Sequence, residues 1–259
     1  MGIDISISQL NIEYFLLILV RMTSFVYIAP FYGQAHVPQR VKLGLSVFLS
    51  ILIFNLNPGE VPAYDSVLDY AALVVKESIT GLLIGFSASI CHMIILFSGR
   101  IIDMDIGLSM AQMFDPTTNQ QITVTGSMYQ YFILLLMLAS NMYIFLLNAI
   151  VDSFTLIPVG GLSPRLMLYD TIIGFLTDYF IIGFRIVIPV VIVILLLNCA
   201  LGIMTKIAPS IHMFSIGIQI KVLGGLTILF ITVALLPSIA NFIFEKMQDM
   251  VVSMMKSLS

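Results

Sequence analysis

Three sets of charged residues sit in apolar surroundings, each framed by glycines at four-residue intervals. The first is Glu77, Gly81 and Gly85. A spacing of four puts all three on one helix face. The glycines admit a second backbone at close range, one turn from the carboxylate. Two readings stand side by side. One is ordinary small-residue packing with a tolerated interfacial Glu. The other is a buried charge that fixes register with a partner helix. The second set, Gly217, Lys221 and Gly225, repeats the spacing with the opposite charge. A buried ammonium needs a counter-charge or a ring of carbonyls. Glu77 can supply it from within the chain, or a partner's carboxylate can, and the sequence leaves both open.

The third set is Gly99, Asp103 and Gly107, with Arg100 and Asp105 beside it. Met110 and Phe114 follow on roughly the same face, ahead of Asp115 and Pro116. A residue before proline is pushed out of the helical region, so a helix stops near Asp115. The bland reading is a surface helix and loop. The alternative is a constriction lined by Met and Phe, whose soft side chains close around variable contents. A fourth stretch carries Gly202, Lys206 and Pro209 before Phe214. By itself it is a turn between two apolar helices.

Enzyme chemistry finds no foothold. HExxH is missing, and Ser109 follows Gly107 without the second glycine of a nucleophile elbow. Neither GxxxxGK[ST] nor GxGxxG occurs, so ATP and dinucleotides are not indicated, and no cofactor is expected. Cys91 and Cys199 lie in apolar runs without CxxC or Cys/His spacing, which indicates neither a metal site nor a disulfide framework. A formal net charge of −3 excludes a basic nucleic-acid binder.

The elements that hold these residues must be membrane helices. Of 259 residues, 59% are apolar and only 10% charged. Soluble domains carry ~25% charged residues. Mean hydropathy is +1.08. The expected class is all-α, polytopic, with about six apolar segments near 12–32, 43–57, 67–98, 127–151, 171–204 and 213–244. The first cation is Arg21, so the apolar start reads as a retained helix rather than a signal peptide.

Several segments are wrong for plain spans. One carries Lys76 and Glu77, another Arg185 and Pro189, a third Lys221 and the pair Gly224–Gly225. A charge at mid-bilayer costs at least ~2.5 kcal/mol. Such segments pack on protein as much as on lipid, and at least two should be bent or split, with Pro189 and Gly224–Gly225 as the weak points. The tail sets Met247, Met250, Val251, Met254 and Leu258 at helical spacing, an amphipathic helix with a methionine face.

In order along the chain stand Arg21, Pro30 and Pro38, then Glu77, Gly81 and Gly85. Gly99, Asp103, Gly107, Asp115 and Pro116 follow, then Pro158, Val159 and Gly160. Leu201, Gly202, Lys206, Pro209, Phe214, Gly217, Lys221 and Gly225 complete the series. With this order and spacing the chain resembles the FliR family of flagellar export-gate proteins, whose injectisome counterparts are the SctT proteins. It departs from the family at Ser210 and His212, where Gln and Asn are usual, and at Lys206, where Arg is usual.

The resemblance implies a non-enzymatic core component of a type III export apparatus in the bacterial inner membrane, at the flagellar basal body. It implies partners like FliP, FliQ and FlhB, unfolded export substrates and membrane lipid. Residues 1–165 would correspond to a FliP-like part and 166–259 to a FliQ-like part. A central loop, about 107–121, would plug the closed channel, with Met110, Met113 and Phe114 as its apolar stoppers and Gly107, Asp115 and Pro116 freeing the backbone. A self-contained secondary transporter is the competing reading, with Glu77, Arg185 and Lys221 as a substrate or proton path. Paired inverted halves with matching broken helices, which that reading needs, are not seen in the sequence.

Overall fold

A computed structural model describes residues 9–34, 36–56, 62–109, 123–163, 167–207 and 213–259. Among the described residues every regular element is helical, in agreement with the all-α expectation. The helices are α1 (Gln9–Ile28), α2 (Gln39–Leu56), α3 (Val67–Ile106), α4 (Val124–Ala139), α5 (Met142–Leu156), α6 (Met167–Ile207), α7 (Met213–Thr232) and α8 (Leu236–Leu258). Four of the described helical stretches are long and apolar enough to cross a membrane, or five if the bent pair α4–α5 counts as one span. The sequence suggests about six. α3 has 40 residues and α6 has 41. At ~1.5 Å per residue each is ~60 Å long, twice the hydrocarbon thickness.

Local chemistry explains the ends of α3. Ser66 precedes it, and the Ser66 N–H and hydroxyl both donate to Asp69 Oδ2, at 3.0 and 2.8 Å. The Asp69 N–H donates back to Ser66 Oγ at 3.3 Å, so this is a reciprocal cap. The far end stops at Gly107, whose φ of +93° is the left-handed conformation of a helix-terminating glycine. The Gly107 N–H donates to the Asp103 and Met104 carbonyls at 3.1 and 3.2 Å.

The chain forms two compact units. One comprises Met1–Ile90, Asn141–Phe175 and Glu245–Ser259. In it the methionine face of the tail is buried, with Met247, Met250, Val251, Met254 and Leu258 all almost fully enclosed. The Gln248 side-chain amide donates to Met142 Sδ at 3.4 Å, and the Ser163 N–H donates to the Leu258 carbonyl at 3.3 Å. The other unit comprises Cys91–Ser140 and Leu176–Phe244. Here Gly99 of α3 lies against the Gly126 backbone of α4. Asp103, buried, accepts from the Thr125 N–H at the start of α4, a carboxylate placed on a helix N-terminus. Phe97 meets Tyr179, Phe180 and Phe184 of α6, and Ser98 Oγ donates to the Gly183 carbonyl at 3.1 Å.

Two of the expected apolar segments, 127–151 and 213–244, are interrupted, but not at Pro189 or at Gly224–Gly225. α6 continues through Pro189, and α7 through Gly224 and Gly225. Away from water an interrupted helix strands several backbone groups, whereas one internal proline strands a single carbonyl. Gly224 and Gly225 serve close packing instead, against Leu197 and Ile106. One real interruption is a 3-10 turn, Val233–Leu235, between α7 and α8. Pro237 explains it: it has no N–H for the Val233 carbonyl, and its ring excludes an α-helical carbonyl four residues back. The other falls between α4 and α5, where Asn141 has φ +56°. Asn is among the few residues that tolerate this conformation. Asn141→Gly should therefore leave stability unchanged, while Asn141→Val costs ~1–2 kcal/mol. Thermal unfolding of the purified protein in detergent reads the difference.

Candidate functional site

α1 buries Leu17, Ile18, Arg21, Met22 and Phe25, a single face in which one member is a cation. Arg21 and Glu77 are both fully buried. Arg21 Nε donates to Glu77 Oε2 at 2.5 Å, and Nη2 donates to Oε1 at 3.1 Å. The pair is thus two-pronged, the geometry in which a guanidinium binds a carboxylate best. Arg21 Nη1 donates to the carbonyls of Ser153 and Ile157, at 3.3 and 3.0 Å. These carbonyls close the C-terminus of α5, where a cation is favoured. The guanidinium also lies 4.2 Å from the centroid of Phe154. Glu77 Oε1 accepts a further hydrogen bond from the Gly160 N–H at 2.7 Å.

The glycines serve this pair. Gly81 lies against the Arg21 carbonyl and Ser24, and Gly85 against the Phe25 carbonyl and Ile28. The contacts advance together along both chains, so α1 runs parallel to this part of α3. Without the close approach the Arg21 side chain would not meet Glu77 squarely. Gly160 has φ +76°, and a Cβ there would press on Leu73 and Pro62. It is the position that turns an N–H back toward Glu77 after Pro158 and Val159. Burying two charges costs several kcal/mol per ion unless their hydrogen bonds are met. Here they are met: among the described residues no buried side-chain nitrogen or oxygen lacks a partner.

Two further polar contacts lie in the same unit. Tyr32 is buried and donates to the Tyr143 carbonyl at 3.0 Å. Lys42 Nζ donates to the Gly33 carbonyl at 2.9 Å. Among the described residues no three His, Cys, Asp or Glu side chains cluster as metal ligands would.

The counter-charge of Glu77 is Arg21. Sequence reading singles out Arg21 only as the first cation and as a family landmark. The two lie 56 residues apart, and no local spacing links them. A usable signal was present in retrospect: Arg21 is the one charge inside the apolar stretch of α1 that is centred on its buried face. Gly217 and Gly225 are buried on α7, and Lys221 between them is half-buried. Among the described residues Lys221 has no ion-pair or hydrogen-bond partner. Gly107 ends α3, as already described. Met110, Met113, Phe114, Asp115, Pro116 and Pro209 lie outside the described residues.

A family model described as "Bacterial export proteins, family 1" matches residues 12–247. The flagellar biosynthetic protein FliR of Escherichia coli (strain K12) is 30% identical over 227 residues, 86% of this chain and 84% of its own. FliR of Bacillus subtilis (strain 168) is 28% identical over 235 residues, 89% and 90% of the two chains. FliR of Buchnera aphidicola subsp. Baizongia pistaciae is 28% identical over 238 residues, 92% of each.

The close approach of α1 and α3 has a direct test. Gly81→Ala places a methyl on backbone that cannot yield and should cost ~1–3 kcal/mol. Gly44→Ala adds a methyl to open space on α2 and should be neutral or gain up to ~1 kcal/mol. Melting midpoints of the two variants in detergent should move in these different directions; an equal effect would show that Gly81 is not a contact glycine.

Proposed function

This chain belongs to the bacterial export proteins of family 1, the FliR family, and we propose that it is a core subunit of the flagellar type III protein export gate. It acts there as a structural and gating component rather than an enzyme, in the bacterial inner membrane at the flagellar basal body. The observation that carries this reading is the family match over residues 12–247, joined to helices that are apolar on faces the chain does not cover itself. On α6 and α7, Ile207, Leu223 and Phe230 are 79%, 72% and 82% exposed. Single exposed apolar residues are ordinary, but runs of them need lipid or partner protein.

The partners are FliP-like and FliQ-like proteins, with an FlhB-like protein at the cytoplasmic mouth and unfolded export substrates as cargo. Residues 1–165 take the place of a FliP subunit and residues 166–259 that of a FliQ subunit. Lys221 takes its counter-charge from a partner's carboxylate, because within the chain Glu77 is already occupied by Arg21. The segment 107–121 closes the channel. Met110, Met113 and Phe114 supply apolar bulk without a rigid fit, and an apolar constriction resists ion leakage by dewetting.

Co-purification tests the assembly. An affinity-tagged chain should bring down FliP-like and FliQ-like proteins in stoichiometric amounts; a chain that is stable and active alone is a transporter, not a gate subunit. Lys221→Met should impair that assembly far more than Lys256→Met, as judged on native gels. Replacing Met110, Met113 and Phe114 together with Ala should leave assembly intact and raise leakage of small solutes across the membrane. An unchanged leak in a fully assembled complex removes the plug.

A further inference from the structure

α6 and α7 form an antiparallel hairpin whose dimensions match a bilayer. Gly224 lies against Leu197. Arg185 and Leu235 line one groove. From Leu197 back to Arg185 is 12 residues, and from Gly224 forward to Leu235 is 11, so the two positions stand level. Arg185 and Lys206 bracket the charge-free run 186–205 on α6. α7 has 20 residues before the 3-10 turn. At ~1.5 Å per residue both limbs are ~30 Å long, the thickness of the hydrocarbon layer. A hairpin that spans the hydrocarbon layer on these two limbs puts Arg185 and the turn at one membrane–water boundary and Lys206 at the other.

The groove at the Arg185 level has a volume of about 380 Å³. Ile182, Ile186, Leu235, Ile239 and Phe242 give it apolar walls. Its polar groups are few, and one of them, the Arg185 guanidinium, is complementary to a phosphate ester. Arg185 supplies the guanidinium, and among the described residues that group has no carboxylate partner. Pro189 brings no N–H to the Arg185 carbonyl. The Ser238 hydroxyl already donates to the Leu235 carbonyl at 2.7 Å, so at the rim it accepts from a headgroup hydroxyl and does not bind the phosphate. No acidic residue occurs between Asp178 and Glu245, so neither limb of the hairpin beyond Asp178 carries a carboxylate. An unpaired guanidinium at headgroup depth, above apolar walls, calls for an anion that carries hydrocarbon.

We propose that this groove binds one anionic phospholipid, its phosphate on Arg185 and its acyl chains along Ile182, Ile186, Ile239 and Phe242. The lipid supplies the charge that the hairpin lacks and fills the groove opened between α6 and the 3-10 turn. Juxtamembrane cations attract anionic headgroups at this depth. A partner protein's carboxylate is the competing source of negative charge.

The test is native mass spectrometry of the full chain, alone and in its co-purified assembly, released from mixed micelles that hold equal amounts of phosphatidylglycerol and phosphatidylcholine. The wild-type chain should retain phosphatidylglycerol in preference by about fivefold. Arg185→Gln should bring the ratio to about one, while Arg185→Lys and Lys256→Gln keep the preference. Ser238→Asp, which offers Arg185 an internal carboxylate, should also abolish it, and it decides the matter if Arg185→Gln does not fold. A preference that survives both Arg185→Gln and Ser238→Asp overturns the proposal. So does loss of bound phosphatidylglycerol to excess inorganic phosphate, which would mean that the acyl chains contribute nothing. Loss of a protein subunit on Arg185→Gln with unchanged lipid retention assigns the guanidinium to a partner's carboxylate and overturns it equally.

Discussion

A buried ion pair with every hydrogen bond met is the constraint around which the first of the two units is arranged. Arg21 and Glu77 have no access to water, so each must find its charge and its donors or acceptors inside the fold. Their needs bring together four stretches that are distant in sequence. α1 brings the guanidinium and α3 the carboxylate. The C-terminus of α5 offers the carbonyls of Ser153 and Ile157, and the turn at Gly160 offers an N–H. Movement of any one of these strands a charge in an apolar interior. Gly81 and Gly85 are the steric side of the same arrangement, because two helices carrying Cβ atoms at the crossing could not approach closely enough.

The second unit uses similar means for a different end. Gly99 and Gly126 let α3 and α4 approach, and Asp103 accepts from the Thr125 N–H at the start of α4. Its cations are treated differently. Lys221 and Arg185 have no partner among the described residues, and both lie on helices with exposed apolar faces. One buried pair is satisfied fully, while these two cations have no carboxylate partner among the described residues.

Much of this is legible in the sequence, and the parts that are not share a physical cause. The helical membrane class follows from composition, and the Glu77, Gly81, Gly85 pattern marks a packed helix face because it lies within one helix. The excessive length of α3 and α6 shows as apolar segments that carry charge. Arg21 as the partner of Glu77 is hidden because the pairing is tertiary. The helix breaks mislead because proline and glycine are read by local propensity. Pro189 sits where neighbouring turns hold the helix, whereas Pro237, just inside α8, falls where a new helix starts and its missing N–H strands nothing further. Asn141 bends the chain with no proline or glycine at all.

The most direct measurement of the account is a double-mutant cycle on the ion pair. Arg21→Met and Glu77→Gln are made singly and together, and the unfolding free energy of each protein is measured in the same detergent. Each single substitution strands its partner and should cost ~3–5 kcal/mol. The double substitution strands neither and should cost no more than the worse single one. Costs that simply add in the double variant would contradict the account, because they would mean that Arg21 and Glu77 stabilise the protein independently.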